Sequence, residues 1–338
     1  MIAAPNTQIQ IIRLSHYSGA YIDVCSEGAS LLSAMMPDRN GHLGEVLLGY
    51  PSLSDWKHDK NFMGRTIGRF ANRIAGAAFS LDGTKYLLEK NDGNNCNHSG
   101  TKGIHHHIFS VYDKTENSVR FSTTSPDGEA GFPGNVEISV TYRLHDGLSL
   151  HILYEAVTDA PTPVSLTSHA YFNLDGNGNI LSHELYIPSG RMLETDASFI
   201  PTGRILDVRH TAFDFTAFKQ VGRDIDYSNP QFLWNKGYNH CYLFDETGNI
   251  KQMAVLRSQQ TGRMLSVFST LPALQVYSGG FLTSNTAGRW GCRVQPSDGI
   301  ALEAQFYPDS PNHNDFPNCI LRLGEVYKHE IIYKFNTF

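Results

Sequence analysis

The sequence predicts an all-β protein, one large antiparallel β-sandwich of many strands with few short helices. Apolar and polar residues alternate from Val136 to Leu144, which is typical of a strand with one buried face. The alternation returns from Leu148 to Tyr154, and the intervening His145-Asp146-Gly147 carries turn residues, so these segments are predicted to form a hairpin. Helical periodicity is scarce along the chain. Strands joined by turns, with little helix, predict a sandwich.

Further turn residues divide the chain at intervals. Asp82-Gly83 joins Phe79–Leu81 to Thr84–Leu87, and other turns are predicted at Asp127-Gly128, Thr247-Gly248 and Asp298-Gly299. Short helices are predicted at Ser54–Lys60 and Ala212–Val221. Because the sequence contains no linker and no repeat of fixed period, residues 1–338 are predicted to form a single domain.

Composition and charge narrow the class of protein. The chain has 338 residues, of which 41% are hydrophobic, and its formal net charge is -6. Because it contains no run of basic residues, we expect no nucleic-acid partner. It also contains no stretch of about eighteen apolar residues, so we expect no membrane span. A small, neutral or mildly polar molecule is the expected partner.

The cysteines and the N-terminus predict the compartment. The five cysteines form no C-x-x-C pair and are expected to be free thiols in a reducing environment. They are Cys25, Cys96, Cys241, Cys292 and Cys319. The first ten residues show neither the basic nor the apolar region of a signal peptide. The sequence therefore predicts a cytoplasmic protein.

Two distant segments each carry one titratable residue in apolar surroundings. His169 lies within Ser165–Leu174, between small hydroxyl residues and two aromatics, where a lone histidine is often only a core residue. Glu303 interrupts the apolar run Gly299–Pro308, and a glutamate in such a run is rarely buried without a partner or a chemical role. We hypothesise that these residues supply one acid and one base to a common cleft.

A second polar pair lies in the glycine-containing segment Gly64–Gly76. Its glycines do not link a strand to a helix as a phosphate-binding loop does, so no phosphate site is predicted. Asn72 and Arg73 either close a sheet edge through a salt bridge or present donors to sugar or carboxylate oxygens.

Two further histidine-containing stretches invite a functional interpretation. The polar loop Glu89–Gly103 holds His98, and binding residues are often carried on such loops. His105, His106 and His107 follow. If they form a strand, His105 and His107 share a face and permit metal ligation, but no carboxylate or cysteine nearby completes the set. An ordinary surface strand is the favoured interpretation.

Amides stand beside aromatic residues in two later segments, Tyr238–Tyr242 and Gln275–Gly279. Aromatic faces stack on the C–H faces of pyranose rings, while amides and histidine bind hydroxyl groups. Packing alone explains each segment equally well. The sequence contains no G-x-S-x-G motif, which disfavours a serine hydrolase.

Taken together and in order, these motifs resemble the galactose mutarotase (aldose 1-epimerase) family. The resemblance runs from about Gly64 to the C-terminus, and it depends on the order and spacing of seven motifs. They are G-R-F-A-N-R-I, N-H-S-G, G-F-P-G-N-V-E-I-S-V-T-Y, S-L-T-S-H-A-Y-F-N-L, L-Q-V-Y-S-G-G, A-L-E-A-Q-F-Y-P-D-S-P-N and L-R-L-G-E-V-Y.

The resemblance implies a β-sandwich of the galactose mutarotase type with a sugar cleft on one sheet. It implies an aldose 1-epimerase that interconverts the α and β anomers of D-galactose, D-glucose or related aldoses by acid–base ring opening and reclosure. Glu303 matches the general base and His169 the general acid. The residues that match the sugar-binding positions are Asn72, Arg73, His98, Tyr171 and Gln275, with Asn239 at a further such position.

The chain departs from the family pattern at three places. Asn239 stands where the family usually has Asp, Ser99-Gly100 replaces a glycine pair, and Gly103-Ile104-His105 replaces a G-F-D sequence. These departures bear on sugar preference more than on the type of reaction, because the acid and the base are both present.

Three alternatives remain open from the sequence. A non-catalytic carbohydrate-binding protein would not need both Glu303 and His169. A hexose-6-phosphate 1-epimerase would place more cations near the cleft than Arg73 and Lys102. A metal-dependent sugar isomerase would use the His105–His107 cluster. The favoured reading is a monosaccharide epimerase, monomeric or homodimeric, with no cofactor and no metal.

Overall fold

Strands dominate residues 8–244 and 247–338, the part of the chain that the structure, a computed structural model, describes. The elements of the first half are β1 Ile11–Ser15, β2 Tyr21–Cys25, β3 Ser30–Pro37, β4 Leu43–Glu45, α1 Leu53–Lys57, β5 Thr66–Ile67, β6 Arg73–Ile74, β7 Ala78–Leu81, β8 Thr84–Leu87, β9 Cys96–Asn97, β10 Ser110–Tyr112, β11 Ser118–Ser125, β12 Val136–His145 and β13 Ser149–Thr158.

The second half of the chain also consists mainly of strands. Its elements are β14 Thr162–Pro163, β15 Thr167–Ser168, β16 Tyr171–Phe172, β17 Glu184–Tyr186, β18 Arg191–Thr195, β19 Pro201–Asp207, β20 Lys219–Gln220, α2 Pro230–Asn235, β21 Asn239–Leu243, β22 Lys251–Arg257, β23 Arg263–Ser269, β24 Ala273–Tyr277, β25 Ile300–Gln305, β26 Ile320–Leu321 and β27 Tyr327–Thr337. Short 3₁₀ turns lie at Ala75–Ala77, Gly100–Lys102, Ile104–His106, Glu129–Gly131 and Ser310–Asn312.

The larger sheet has nine strands in the order β10-β11-β12-β13-β27-β23-β22-β17-β20. All of its pairings are antiparallel. The predicted hairpin is confirmed as β12 and β13, which pair from Val136 opposite Thr158 to His145 opposite Ser149. The predicted alternation holds there too, since Ile138, Val140 and Tyr142 are buried.

The second sheet of the sandwich has six strands in the order β16-β25-β24-β21-β18-β19. Leu274 and Leu302 of this sheet share one hydrophobic core with Val140 and Ile331 of the nine-stranded sheet, so the inner faces of the two sheets enclose the core. The opposite face of the six-stranded sheet is therefore free to carry polar residues. The all-β prediction, an antiparallel sandwich with few short helices, is confirmed.

A third sheet, in the order β1-β2-β3-β4, flanks the sandwich near the N-terminus. Between it and the six-stranded sheet lies a smaller hydrophobic cluster that includes Leu48, Trp56, Met63 and Tyr171. Helix α1 supplies Trp56, whose indole N–H donates to the Met63 carbonyl at 2.8 Å. This cluster supports the loop that follows α1, which borders the cleft described below.

The helix predictions have mixed outcomes. Helix α1 confirms the prediction at Ser54–Lys60, although it ends at Lys57. The predicted helix at Ala212–Val221 is wrong. There the Asp214 carboxylate accepts hydrogen bonds from the backbone N–H groups of His210 and Thr216, so turns replace the helical hydrogen bonds.

Helix α2 was not predicted, although Asn229 and Pro230 mark its start. The Asn229 side chain caps the helix by accepting from the Gln231 N–H at 2.9 Å, and Pro230 occupies the first turn. The helix has only six residues, too few for a periodic pattern to be visible in the sequence.

The strand predicted at the histidine run is also wrong. Ile104–His106 forms a 3₁₀ turn, so the period-two argument that placed His105 and His107 on one face does not apply. His105 is buried, and its ring lies 5.2 Å from that of Phe62. His107 points elsewhere, with its Nε2 3.0 Å from Glu129.

Candidate active site

Glu303 and His169 meet on the outer face of the six-stranded sheet. Strand β16 pairs with β25 so that Tyr171 lies opposite Ala301. Continuing that register by two residues brings His169 opposite Glu303, and the distance from His169 Nε2 to Glu303 Oε1 is 3.7 Å. Leu302 and Ala304 point into the core, so alternation turns Glu303 outward.

Burial pushes both members of this pair towards their neutral forms. It raises the pKa of Glu303 to about 8, against a smaller lowering by the Arg73 guanidinium. It lowers the pKa of His169 to about 4. Between these values the pair holds one transferable proton.

The pair lies in a cleft of about 340 Å³. This volume falls within the range of small-molecule sites. The cleft is lined by Lys60, Asn61, Phe62, Asn72, Arg73, Asp92, Asn97, His98, His169, Tyr171, Phe199, Asn239, Tyr277, Phe281 and Glu303. Amide, imidazole, guanidinium and aromatic groups therefore converge on the acid–base pair, and a polyhydroxylated ring is a suitable ligand for such a lining.

An amide pair forms one wall of the cleft. Gln275 faces outward beside Glu303, because these residues are directly opposite in the β24–β25 ladder. The Gln275 Nε2 donates to Asn239 Oδ1 at 2.7 Å. The Asn239 oxygen is thus occupied, and its amino group is the part available to a ligand. The buried Gln275 Oε1 accepts no hydrogen bond from the described residues.

Asn72 and His98 form a second wall, and both have left-handed backbone conformations, with φ of 68° and 53°. Such conformations cost free energy in residues with side chains and occur disproportionately at functional sites. His98 Nδ1 accepts from the Asn72 N–H at 3.1 Å, so the neutral ring carries its proton on Nε2. Burial holds the pKa of His98 well below its usual value, which keeps the ring neutral.

Arg73 forms the salt bridge proposed for it from the sequence and also reaches the cleft. Its Nε donates to Asp92 Oδ2 at 2.7 Å, which is the predicted salt bridge. Its guanidinium also lines the cleft and lies 4.7 Å from the centre of the Phe199 ring. The ion pair and the ring fix the orientation of the guanidinium towards the cleft.

Aromatic contacts hold the His169 ring. Its Nδ1 forms no hydrogen bond to any described residue. The ring centres of Tyr171, His98 and Phe62 lie 5.0, 5.3 and 5.9 Å from that of His169. Packing rather than hydrogen bonding therefore sets the direction in which His169 Nε2 points.

All eight site residues named from the sequence meet in this region. Seven line the cleft, and Gln275 adjoins it through its hydrogen bond to Asn239. Sequence reasoning did not name eight of the cleft residues, namely Lys60, Asn61, Phe62, Asp92, Asn97, Phe199, Tyr277 and Phe281. Tyr277 was detectable, because it follows Gln275 by two residues on the same strand. Phe199 and Phe281 lie in turns whose sequences carry no such signal.

The cations near the cleft differ from those that the sequence suggested. Arg73 and Lys60 line the cleft. Lys102, which the sequence suggested, is exposed and is not part of the lining. Across the described residues, no three side chains among His, Cys, Asp and Glu cluster closely enough to hold a metal ion. No helix in residues 8–244 and 247–338 is long and apolar enough to cross a membrane.

Comparison with known proteins identifies the family. The family model described as aldose 1-epimerase matches residues 10–334, and the chain belongs to this family. It is 36% identical to the aldose 1-epimerase of Escherichia coli K12, over 98% of this chain and 97% of the relative. It is 35% identical to the galactose mutarotase of Homo sapiens, over 94% of this chain and 91% of the relative.

Solved structures agree with this assignment. The GalM/aldose epimerase homologue of Caenorhabditis elegans superimposes with a TM-score of 0.91 at 29% identity, covering 98% of this chain and 99% of that one. The galactose 1-epimerase of Lactobacillus acidophilus NCFM gives a TM-score of 0.85 at 27% identity, covering 100% and 97%. The resemblance noted from the motifs is confirmed, and the chain is an isomerase with mutarotase activity.

The buried carboxyl group generates a stability prediction. The folded pKa of Glu303, about 8, lies above its ordinary value of 4.5, so the folded state loses stability as pH rises between these values. Glu303→Gln does not titrate, and its free energy of unfolding relative to the parent should rise from pH 4.5 to pH 8 by roughly 1–3 kcal/mol. Urea unfolding at several pH values measures this difference.

The matched control is Glu137→Gln, which removes an exposed carboxylate on β12. It should show no comparable trend. A difference between Glu303→Gln and the parent that does not change with pH would contradict the predicted pKa.

Proposed function

We propose that this chain interconverts the α and β anomers of D-galactose, D-glucose or a related aldose, with Glu303 as general base and His169 as general acid. The observation that carries the proposal is the distance of 3.7 Å between His169 Nε2 and Glu303 Oε1 on the floor of a polar cleft. An acid and a base so close together can act on adjacent atoms of one sugar ring.

Ring opening uses each group once. Glu303 takes the proton of the C1 hydroxyl while His169 delivers a proton to the ring oxygen. The bond between C1 and the ring oxygen breaks, and C1 becomes an aldehyde. Rotation about C1–C2 then presents the other face of the carbonyl. Closure reverses both transfers and yields the other anomer.

The pair carries the same number of protons before, during and after this cycle. Glu303 is ionised and His169 protonated at the start, and the reverse holds for the open-chain sugar. The surroundings therefore never absorb a net charge change. Proton balance needs no redox group, and each positioned group contributes roughly 10²–10⁴ to the rate.

The remaining residues are proposed to hold the sugar. Arg73, Asn72 and His98 would donate to hydroxyl oxygens from one side, and Asn239 and Gln275 would bind hydroxyls from the other. Tyr171 offers an aromatic surface beside His169. Binding by several short contacts fixes the ring relative to the acid and the base, which is the main contribution of the protein to orientation.

The same contacts argue against the alternatives. A carbohydrate-binding protein gains nothing from burying a glutamate and a histidine together, because each costs desolvation free energy. A hexose 6-phosphate calls for several cations free to bind a dianion, and of the two Lys and Arg side chains that line the cleft, Arg73 is paired with Asp92, which leaves Lys60. The histidines proposed for a metal-dependent isomerase do not share a face.

Several expectations remain proposals. The aldose preferred, the organisation as a single domain and the choice between monomer and homodimer are among them. So is the cytoplasmic location.

Removing either proton-transfer group should abolish most of the activity. Glu303→Gln and His169→Asn should each lower kcat by at least about 10², because each removes one transfer. The double variant should lose much less than the product of the two single losses, since the two groups act as a unit. Polarimetry with fresh α-D-galactose and α-D-glucose, corrected for spontaneous mutarotation, measures the rates.

Glu137→Gln, remote from the cleft on β12, is the control for a lost carboxylate. Near-normal turnover in Glu303→Gln would remove Glu303 from the mechanism. Losses that multiply fully would mean that the two groups serve separate steps.

The pH dependence of kcat/KM should be bell-shaped. Below about pH 4 both groups are protonated and no base is available, and above about pH 8 both have lost the proton and no acid remains. Activity should fall on both sides of this window. In His169→Asn the residual activity depends on ionised Glu303 alone, so it should lose the alkaline limb, and its acidic limb should move up towards the pKa of Glu303, about 8. An acidic limb that stays near pH 4 would contradict the assignment.

Asn239 is expected to affect sugar preference. Its oxygen is engaged by Gln275, so it presents a donor to the sugar, whereas Asp would present a charged acceptor. Asn239→Asp should change affinity by about fivefold for sugars with a hydroxyl that donates there, and should change the ranking of aldoses by kcat/KM. Asn40→Asp, in the exposed turn before β4, is the control for added charge. An unchanged ranking in Asn239→Asp would place Asn239 outside the binding site.

A further inference from the structure

Polar atoms without partners cluster beneath the acid–base pair. Glu303 Oε2, both amide atoms of Gln305 and the hydroxyl of Thr167 are buried and form no hydrogen bond to any described residue. Gln305 and Thr167 are fully buried. Native proteins rarely leave such groups unsatisfied, so a cluster of four such atoms calls for an explanation.

The strand pairing places these atoms together. Glu303 and Gln305 are two residues apart on β25 and therefore project from the same face, about 6.6 Å apart along the strand. Extending the β16–β25 register beyond Tyr171 opposite Ala301 brings Thr167 to the level of Gln305; β15 itself pairs with β5 and packs against β25. On this placement the four unsatisfied atoms lie in one patch that continues the floor of the cleft below Glu303.

The donors and acceptors of the patch match one bridging water. A buried water typically forms two to four hydrogen bonds, and about that many partners are present. It can donate to Glu303 Oε2 and to Gln305 Oε1 while it accepts from the Thr167 hydroxyl. An apolar residue at position 305 would avoid the desolvation cost altogether, so stability alone does not account for the glutamine.

We propose that Gln305 and Thr167 hold an ordered water against Glu303 Oε2, and that Gln305 is thereby a positioning residue for the general base. The inference rests on the proposed function, because it assumes that Glu303 accepts the C1 hydroxyl proton. The water fixes the rotation of the carboxyl group, so that Oε1 faces His169 and the substrate. Its donated hydrogen bond also favours the ionised form of Glu303.

Among the described residues, the other groups near Glu303 do not donate a hydrogen bond to its Oε2. The titratable and charged side chains around it are His169, Arg73, Tyr171, Tyr277, Cys241 and Tyr333. Glu303 contacts His169 through Oε1. Oε2 thus lacks a donor among the described residues, which is the position that the water fills.

Gln305→Met tests the proposal, because it keeps the length of the side chain and removes its polar atoms. We expect kcat to fall about tenfold, the effect of one hydrogen bond to a charged group, with KM changed less than twofold. The alkaline limb of the pH profile should move up by about one pH unit, since ionised Glu303 loses a donor. Thermal stability should stay equal or rise. Gln220→Met, at an exposed position on β20, is the matched control.

Two further measurements keep the test decisive if Gln305→Met misfolds. Thr167→Val, which preserves volume, should lower kcat about threefold and move the alkaline limb in the same direction. A high-resolution crystal structure of the parent should show a water within hydrogen-bond distance of Glu303 Oε2 and Gln305. Absence of that water would overturn the proposal.

The outcomes separate this inference from the proposed function. Normal kcat and an unmoved alkaline limb in Gln305→Met, together with an inactive Glu303→Gln, would overturn the role of Gln305 alone. A loss of kcat that tracks a loss of thermal stability, with an unmoved limb, would mean a merely structural role and would also overturn it. An active Glu303→Gln would overturn the proposed base, and the inference with it.

Discussion

The antiparallel pairing of β16 with β25 is the constraint on which the rest of the site depends. Its register places His169 opposite Glu303, and the adjoining β24–β25 register places Gln275 opposite Glu303 on the other side. Side chains alternate along strands, so a slip of one residue would turn Glu303 into the core and Leu302 into the cleft. The buried Leu302 and Ala304 make such a slip costly. The hydrophobic core thus specifies the distance between Glu303 and His169.

The burial of Glu303 and His169 shifts their pKa values, and it also costs desolvation free energy. Desolvation moves the pKa of Glu303 up and that of His169 down, so the resting pair is neutral. The proposed ring opening requires the charged arrangement, in which Glu303 is ionised and His169 protonated. The Arg73 guanidinium favours that arrangement at Glu303. A bound sugar would add hydrogen bonds to the charged groups. In the free protein the shared proton therefore resides on Glu303, and on sugar binding it is expected to move to His169. Active sites generally sacrifice stability for function in this way.

The sequence was informative where a repeating pattern or a specific motif carried the information. Alternation predicted the β12–β13 hairpin, and the order of the motifs predicted the family and brought forward the eight site residues. The failures have physical reasons. At Ala212–Val221, the Asp214 side chain competes for backbone N–H groups, a local interaction that composition does not reveal. At His105–His107, three identical residues show no alternation of polar and apolar side chains, and tertiary packing selects a 3₁₀ turn. Phe199 and Phe281 reach the cleft from turns, where position depends on long-range folding.

The charge balance of the cleft links its geometry to the kind of molecule it accepts. Two opposed pairs dominate, Arg73 with Asp92 and Glu303 with His169, and each is neutral as a unit. An anionic ligand would share the charge of Arg73 with Asp92, which is bonded to Arg73 Nε, and the aromatic contact with Phe199 further fixes the guanidinium. A neutral polyol needs no such sharing, because guanidinium, imidazole and amide groups can donate to hydroxyl oxygens while their own partners stay in place. The pairing of Arg73 with Asp92 therefore supports the proposal of an uncharged aldose.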